Sequence, residues 1–176
     1  GVDAFGRIDV LISNAQASAS GVTLAEHTTE QFDLAVYSGL YATFYYMKAC
    51  YPYLKETRGF MINFASGAGL FGNYDQCAYA AAKEGIRGLT RVAATEWGQD
   101  GINVHIVCPL AWIAQLEKFQ QAYPEAFKAN VKMPPMGHFG DVEKEIGRAC
   151  VQLASPDFKY MSGETLTLEG AMGQRP

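Results

Sequence analysis

The sequence predicts an α/β fold in which a parallel β-sheet is covered by helices on both faces. Two observations support this prediction. Four short apolar runs are typical of buried strands, and three longer stretches with helical periodicity lie between them. Because strands and helices alternate, we expect right-handed crossovers between successive strands.

The predicted elements follow one another along the whole chain. The strands are expected at residues 8–13, 60–65, 102–108 and 164–168. The helices are expected at about residues 29–55, 76–98 and 141–154. Thr28 and Gln31 have the spacing of a capping box at the start of the first helix. The core-facing stripe of that helix is predicted to consist of Phe32, Val36, Leu40 and Phe44.

The composition is that of one globular domain. The chain has 176 residues, of which 49% are hydrophobic and 18% charged, enough apolar material for a sizeable core. A net charge of -4 without a cluster of basic residues argues against a nucleic-acid partner. No apolar run approaches the roughly 20 residues of a membrane span, and no leader pattern opens the chain, so we expect a cytoplasmic protein.

The four cysteines do not show a metal or disulfide pattern, because they are scattered and lack C-x-x-C spacing. We therefore predict no metal site. Cys50, Cys108 and Cys150 are interpreted as small buried hydrophobic residues. Cys77 precedes Tyr79 by two residues, and either contact with a substrate or partial burial at a helix start would explain it.

A tyrosine and a lysine in the second predicted helix have the spacing of an acid–base pair. Tyr79 and Lys83 are four residues apart and therefore share a helix face. A nearby ammonium favours the tyrosinate and lowers a phenol pKa that starts near about 10. Ser66 follows the predicted strand at 60–65 and would bring a hydroxyl to the same place. The three groups suit proton exchange with a carbonyl or alcohol oxygen, whereas Tyr-x-x-x-Lys on its own is common on surface helices.

Longer stretches around these residues resemble one protein family. Residues 62–91, INFASGAGLFGNYDQCAYAAAKEGIRGLTR, are similar to the catalytic segment of the short-chain dehydrogenase/reductases. Residues 8–16, 101–109 and 162–170 resemble, in that order, the family's strand ending in Asn-Asn-Ala-Gly, its strand ending in Pro-Gly and its last strand. The resemblance covers nearly the whole chain and implies a Rossmann-like, doubly wound parallel sheet.

This resemblance implies an NAD(P)-dependent oxidoreductase that interconverts a secondary alcohol and a ketone by hydride transfer. Ser66 would orient and polarise the substrate oxygen. Tyr79 would be the general acid or base, and Lys83 would lower the Tyr79 pKa and hold the ribose hydroxyls of the cofactor. The residues implied to bind the cofactor are Asn14, Ala15, Tyr79, Lys83 and Pro109.

The glycine-rich turn that would hold the cofactor's pyrophosphate does not precede Ile8. We therefore expect residues 1–176 to form a single Rossmann-like domain that is truncated at its N-terminus and has about four strands. We also expect this chain to be impaired or inactive by itself. The residue that selects the cofactor would lie before Gly1, so NAD and NADP both stay open.

The missing glycine-rich turn and two departures from the family's pattern favour a second hypothesis, a noncatalytic subunit or pseudoenzyme. Gln16 stands where glycine normally lets the cofactor pass closely, and Gly39 aligns with an asparagine that relays protons. A third hypothesis is a halohydrin-dehalogenase-like lyase, which the pair Ser13 and Asn14 faintly suggests. Such enzymes carry arginine in place of Lys83, so this hypothesis ranks last.

A long segment at about 110–140 interrupts the alternation of strands and helices and contains several aromatic residues. In compact domains, segments of this kind are often lids or binding loops. The segment is expected either to close over an apolar alcohol or ketone substrate or to form a helical hairpin that packs on the sheet.

Tyrosines at positions 37, 41 and 45 recur every four residues beside the core stripe of the first helix. Tyrosine is favoured at interfaces because it buries area while keeping a polar tip. In the family, the two long helices pair with those of another subunit. The resemblance therefore implies a homodimer or homotetramer through residues 29–55 and 76–98.

Overall fold

The computed structural model describes residues 1–173, apart from the side chain of Asn130. The strands in this part of the chain are β1 (Val10–Ser13), β2 (Phe60–Phe64), β3 (Asn103–Pro109) and β4 (Thr165–Leu168). The α-helices are α1 (Val2–Phe5), α2 (Thr29–Ala35), α3 (Ala42–Thr57), α4 (Gly67–Phe71), α5 (Cys77–Trp97), α6 (Ala114–Ala122), α7 (Pro124–Asn130) and α8 (Arg148–Leu153). Two π-helical segments, Val36–Tyr41 and Val142–Gly147, lead into α3 and α8.

The strands form a parallel sheet in the order β1-β2-β3-β4. Ile12 lies opposite Ile62, and Ile62 lies opposite His105. The predicted α/β fold, its four strands and its three helical regions are confirmed. Because the strands are parallel, their carboxyl ends meet at one edge of the sheet, and Ser66 follows one of these ends.

Helices cover both faces of the sheet, as the sequence predicts. On one face, Met61 of β2 packs in a buried cluster with Leu54 of α3 and Ala93 of α5. On the other face, the next residue, Ile62, packs against Cys150 of α8. Successive side chains of a strand point to opposite faces, so both faces of β2 are buried. Its one polar residue, Asn63, is buried with its amide nitrogen donating a hydrogen bond to the Thr90 hydroxyl. The sheet is therefore doubly wound.

The first long helical region begins with the predicted capping box of Thr28 and Gln31, but its core-facing stripe differs from the prediction. Phe32 is 39% exposed and Phe44 is 37% exposed. Small residues such as Gly39 are buried instead. The π-helical segment Val36–Tyr41 widens the helical turn and shifts the phase of the residues that follow it, which include Phe44 but not Phe32.

The segment at 110–140 contains a helical hairpin, α6 and α7, whose aromatic residues pack on one another. The Trp112 ring centroid lies 6.1 Å from that of Phe127 and 5.8 Å from that of Phe139, and both phenylalanines are buried. These contacts join parts of the segment to one another and do not decide whether the hairpin packs on the sheet. A role as a lid stays a prediction.

Candidate active site

Ser66 is held at the carboxyl end of β2 by a helix cap. The strand ends at Phe64, and Ser66, with an extended backbone, is the N-cap of α4. Its hydroxyl oxygen accepts a hydrogen bond of 3.1 Å from the main-chain N–H of Ala68. Because this bond uses the oxygen as acceptor, the hydroxyl hydrogen can still be donated to another oxygen.

Tyr79 lies in the first turn of α5, as predicted. Its neighbours Ala78 and Ala82 are fully buried, so this part of α5 is closely packed. Burial has the largest effect on the Tyr79 phenol and raises its pKa. A hydrogen-bonding interaction with the Ser66 side chain acts in the opposite direction and lowers the pKa. The structure thus brings the hydroxyls of Ser66 and Tyr79 together.

The direction of the Tyr79 pKa corrects the expectation from the sequence, in which the Lys83 cation lowers it. The Nζ atom of Lys83 lies 5.5 Å from the centroid of the Tyr79 ring. Burial nevertheless outweighs other influences and raises the phenol pKa. The phenol therefore keeps its proton at neutral pH.

Lys83 is a buried cation that joins α5 to β2. Its side chain is only 4% exposed, and its Nζ donates a hydrogen bond of 2.7 Å to the main-chain carbonyl of Phe64. Burial lowers the pKa of Lys83 to about 8, while the nearby Cys108 thiol acts in the opposite direction. The ammonium is therefore protonated at neutral pH but close to its titration range.

The residues predicted to line the cofactor's path meet in a groove along the sheet edge. Asn14, after β1, and Pro109, at the end of β3, both line this open groove of about 720 Å³. Phe64 also lines it, and the Phe64 carbonyl is the acceptor for Lys83. Phe64 therefore connects the groove to the serine–tyrosine–lysine cluster, although Ser66, Tyr79 and Lys83 are not among the described residues that line it. Ala15 is exposed in the loop after β1.

Gln16 does not point into this groove. Its carboxamide lies over Gly39, in the π-helical segment that precedes α3. The two departures from the family's pattern are therefore in direct contact, a relationship that the sequence analysis did not find.

A buried acid beside the candidate site was also missed. Glu169 directly follows β4 and is buried. A Cβ atom built on Gly67, the residue after Ser66, would lie 2.6 Å from Glu169 Oε1. The feature of the sequence that could have identified Glu169 is its position, a charged residue immediately after a predicted apolar strand.

Two histidines lie outside the serine–tyrosine–lysine cluster. His105 is fully buried in β3, and His138 pairs with Glu145 at 2.9 Å, a partner that the sequence analysis did not identify. Within residues 1–173, no group of three or more His, Cys, Asp or Glu side chains is arranged to hold a metal ion. No helix in the same part of the chain is long and apolar enough to cross a membrane.

Comparison of the amino-acid sequence with known proteins places the chain in a family. The family model described as Enoyl-(Acyl carrier protein) reductase matches residues 2–172. The 12alpha-hydroxysteroid dehydrogenase of a Clostridium species is 74% identical to this chain over 98% of the chain and 66% of the relative. The 3-oxoacyl-(acyl-carrier-protein) reductase FabG of Vibrio cholerae is 33% identical over 97% of the chain and 68% of the relative. The chain thus spans about two thirds of the length of these relatives.

Solved structures agree with this placement. A structure described as ElxO with NADP bound has a TM-score of 0.89 and 27% identity, covering 98% of this chain and 71% of its own. An oxidoreductase of the short chain dehydrogenase/reductase family from Burkholderia thailandensis has a TM-score of 0.85 and 27% identity, covering 97% of this chain and 68% of its own. The predicted resemblance is confirmed, and the chain belongs to the short-chain dehydrogenase/reductase family.

Proposed function

We propose that the complete protein that carries this chain is an NAD(P)-dependent oxidoreductase that interconverts a hydroxyl group and a ketone on a steroid. The observation that carries the proposal is the clustering of Ser66, Tyr79 and Lys83 at the carboxyl end of β2. The steroid class is supported by the 74% identity to a 12alpha-hydroxysteroid dehydrogenase.

Tyr79 is the proton donor in the reduction of a ketone. Burial raises its phenol pKa, so the proton is present at neutral pH and can be passed to the developing alkoxide. Ser66 donates its hydroxyl hydrogen to the same substrate oxygen and thereby polarises the carbonyl. In the oxidation direction, the phenol must first lose its proton, and the resulting Tyr79 phenolate then takes the hydroxyl proton from the substrate.

The residues beside this cluster fit a nicotinamide cofactor. The Lys83 ammonium has three N–H donors, of which one is used by the Phe64 carbonyl in the described part of the chain. The other two can hold the ribose hydroxyls of the cofactor. Asn14 and Pro109 line the adjoining groove. When bound, the nicotinamide supplies or accepts the hydride.

NAD and NADP both fit this site, and the NADP in the ElxO structure favours NADP as the cofactor to test first.

Exposed apolar side chains in the segment at 110–140 support a rigid, apolar substrate. These side chains belong to Ile113, Met133 and Met136.

The pseudoenzyme alternative depends in part on Gln16 and Gly39. The side chain of Gln16 packs on Gly39 rather than lining the groove that holds Asn14 and Pro109. A side chain at position 16 is therefore compatible with a bound cofactor, which supports the enzyme over the noncatalytic subunit.

The substitution Tyr79→Phe tests the proposal in the complete protein. Turnover of a 12-hydroxysteroid with NADP⁺ should fall by about 10²–10⁴-fold, because the phenyl ring has no proton to exchange. The affinity for NADPH, measured by fluorescence titration, should stay within about twofold. The exposed Tyr74 offers a matched control, Tyr74→Phe, which should behave as wild type. Unchanged turnover in Tyr79→Phe would overturn the role of Tyr79, and a wild-type protein inactive on every hydroxysteroid and ketosteroid tested would overturn the substrate class.

A further inference from the structure

We propose that Gln16 is a positioning residue whose carboxamide takes the place of a side chain at position 39 and holds the cofactor-lining loop after β1 against the π-helical segment. The inference rests on the proposed function, because the loop contains Asn14 and Ala15. It concerns a pair of residues, Gln16 and Gly39, that each depart from the family's pattern and that compensate one another.

The contact between the two residues is close. A Cβ atom built on Gly39 would lie 2.5 Å from Cδ of Gln16, 2.7 Å from its Oε1 and 2.9 Å from its Nε2. Gly39 itself is buried. The carboxamide of Gln16 therefore fills the space that a side chain at position 39 would occupy, and a side chain there would require the carboxamide to move.

The Gln16 carboxamide is also bound to the helical region. Its Nε2 donates a hydrogen bond of 3.4 Å to the main-chain carbonyl of Ala35, at the end of α2. Its Oε1 is buried, and no residue between 1 and 173 donates a hydrogen bond to it. A buried acceptor of this kind is costly to leave unpaired.

A second link joins the same loop to the same segment. The hydroxyl oxygen of Ser38, the neighbour of Gly39, accepts a hydrogen bond of 3.0 Å from the main-chain N–H of Ala17. Two consecutive loop residues, Gln16 and Ala17, thus contact Gly39 and Ser38 of the π-helical segment, and Gln16 is also bonded to Ala35 of α2. These contacts hold the loop that begins at Asn14 against that helical region.

The segment is in turn packed on the helix that carries the candidate catalytic residues. A Cβ atom on Gly85 of α5 would lie 2.8 Å from Cδ2 of Leu40, so Leu40 sits directly on the α5 backbone two residues after Lys83. The spacing between the cofactor-lining loop and Lys83 is therefore set through the π-helical segment. Gln16 is the side chain that connects the loop to this unit.

A thermal unfolding cycle tests the pairing in the complete protein. In Gly39→Asn, the new side chain must displace the carboxamide, and in Gln16→Gly the carboxamide is lost. Each single variant should lower the unfolding midpoint by roughly 2–4 °C. The double variant Gln16→Gly with Gly39→Asn should return to within about 1 °C of wild type, because the asparagine fills the space from the other side. Additive losses in the double variant would overturn the pairing.

Cofactor binding separates a positioning role from a purely structural one. Gln16→Met fills a similar volume but lacks the amide, so its unfolding midpoint should change little. Its dissociation constant for NADPH should rise about fivefold, because the hydrogen bond that holds the loop is lost. The double variant should bind NADPH within about twofold of wild type. Gln152→Met, at an exposed position of α8, is the matched control and should leave binding unchanged.

The outcomes distinguish this inference from the proposed function. Wild-type protein that binds NADPH while Gln16→Met binds it equally well would overturn the inference and leave the oxidoreductase intact. Wild-type protein that binds neither NADH nor NADPH would overturn the proposed function and the inference with it. Weaker binding by Gln16→Met, restored binding by the double variant and a non-additive unfolding cycle together support the inference.

Discussion

The ammonium of Lys83 donates a hydrogen bond of 2.7 Å to the main-chain carbonyl of Phe64. This bond connects α5 to the last residue of β2, and Ser66 follows Phe64 by two residues. The same contact therefore sets the distance between the strand end that presents Ser66 and the helix that presents Tyr79. Lys83 thus has a structural role in addition to the cofactor contact that we propose.

The titration of Lys83 predicts a pH dependence of cofactor binding. Burial lowers the pKa of Lys83 to about 8, so its ammonium is present below that pH and is lost above it. The dissociation constant for NADPH should be nearly constant between about pH 6.5 and 7.5. It should then rise above about pH 8, approaching tenfold per pH unit. Fluorescence titration at a series of pH values measures this directly.

Lys83→Arg is the control for this titration, because a guanidinium stays protonated over the whole range. Its binding of NADPH should be weaker than that of wild type but independent of pH. Equal pH slopes in wild type and Lys83→Arg would show that another group causes the effect.

His105 predicts a loss of stability in acid. Burial lowers its pKa below the ordinary value of 6.5, so the folded state disfavours the imidazolium. Its contribution to stability is complete above about pH 6.5 and is lost as the pH falls towards the folded-state pKa. The wild-type unfolding midpoint, measured by calorimetry, should fall between about pH 7 and 5. His105→Asn should show a shallower fall, because the substituted position no longer takes up a proton on unfolding.

His138 should affect the pH dependence of stability in the direction opposite to His105. It is exposed, and its hydrogen bond with Glu145 raises its pKa. Its small contribution to stability is present below about pH 6.5 and is lost as the pH rises through the raised pKa. His138→Asn should therefore make the fall in acid slightly steeper. If His105→Asn and His138→Asn changed the slope in the same direction, the role assigned to His105 would be wrong.

The tyrosine stripe predicts an oligomer. Tyr37, Tyr41 and Tyr45 are exposed, and the ring centroids of Tyr37 and Tyr41 lie 5.0 Å apart in a stacked arrangement. Such a surface is suited to burial against another subunit. Tyr41→Glu should shift the protein to a smaller species in sedimentation velocity, because a carboxylate would be buried without a partner.

Tyr74 is more exposed than Tyr41 and lies outside the stripe, so Tyr74→Glu is the matched control and should leave the sedimentation coefficient unchanged. A wild-type protein that sediments as a monomer would contradict the predicted homodimer or homotetramer.

Particular elements show why parts of this fold and site follow from the sequence. β2 is predicted within one residue because a strand covered on both faces consists mostly of apolar residues, here all but Asn63. Ser66 and Tyr79 were located because a strand end and a helix start are local patterns. The predicted core stripe was wrong at Phe32 and Phe44, which are exposed. For Phe44 the reason is that regular helical periodicity does not include the π-helical segment Val36–Tyr41 before it.

The sequence by itself determined the order of strands and helices and the family. It also identified Ser66, Tyr79 and Lys83 as candidate catalytic residues from their residue types and spacing. Tertiary structure alone decided that burial raises the Tyr79 pKa, that Lys83 bonds to Phe64 and that Gln16 fills the space over Gly39. Apolar periodicity and short-range spacing depend on neighbours along the chain. Desolvation and close packing depend on residues that meet only when distant elements come together.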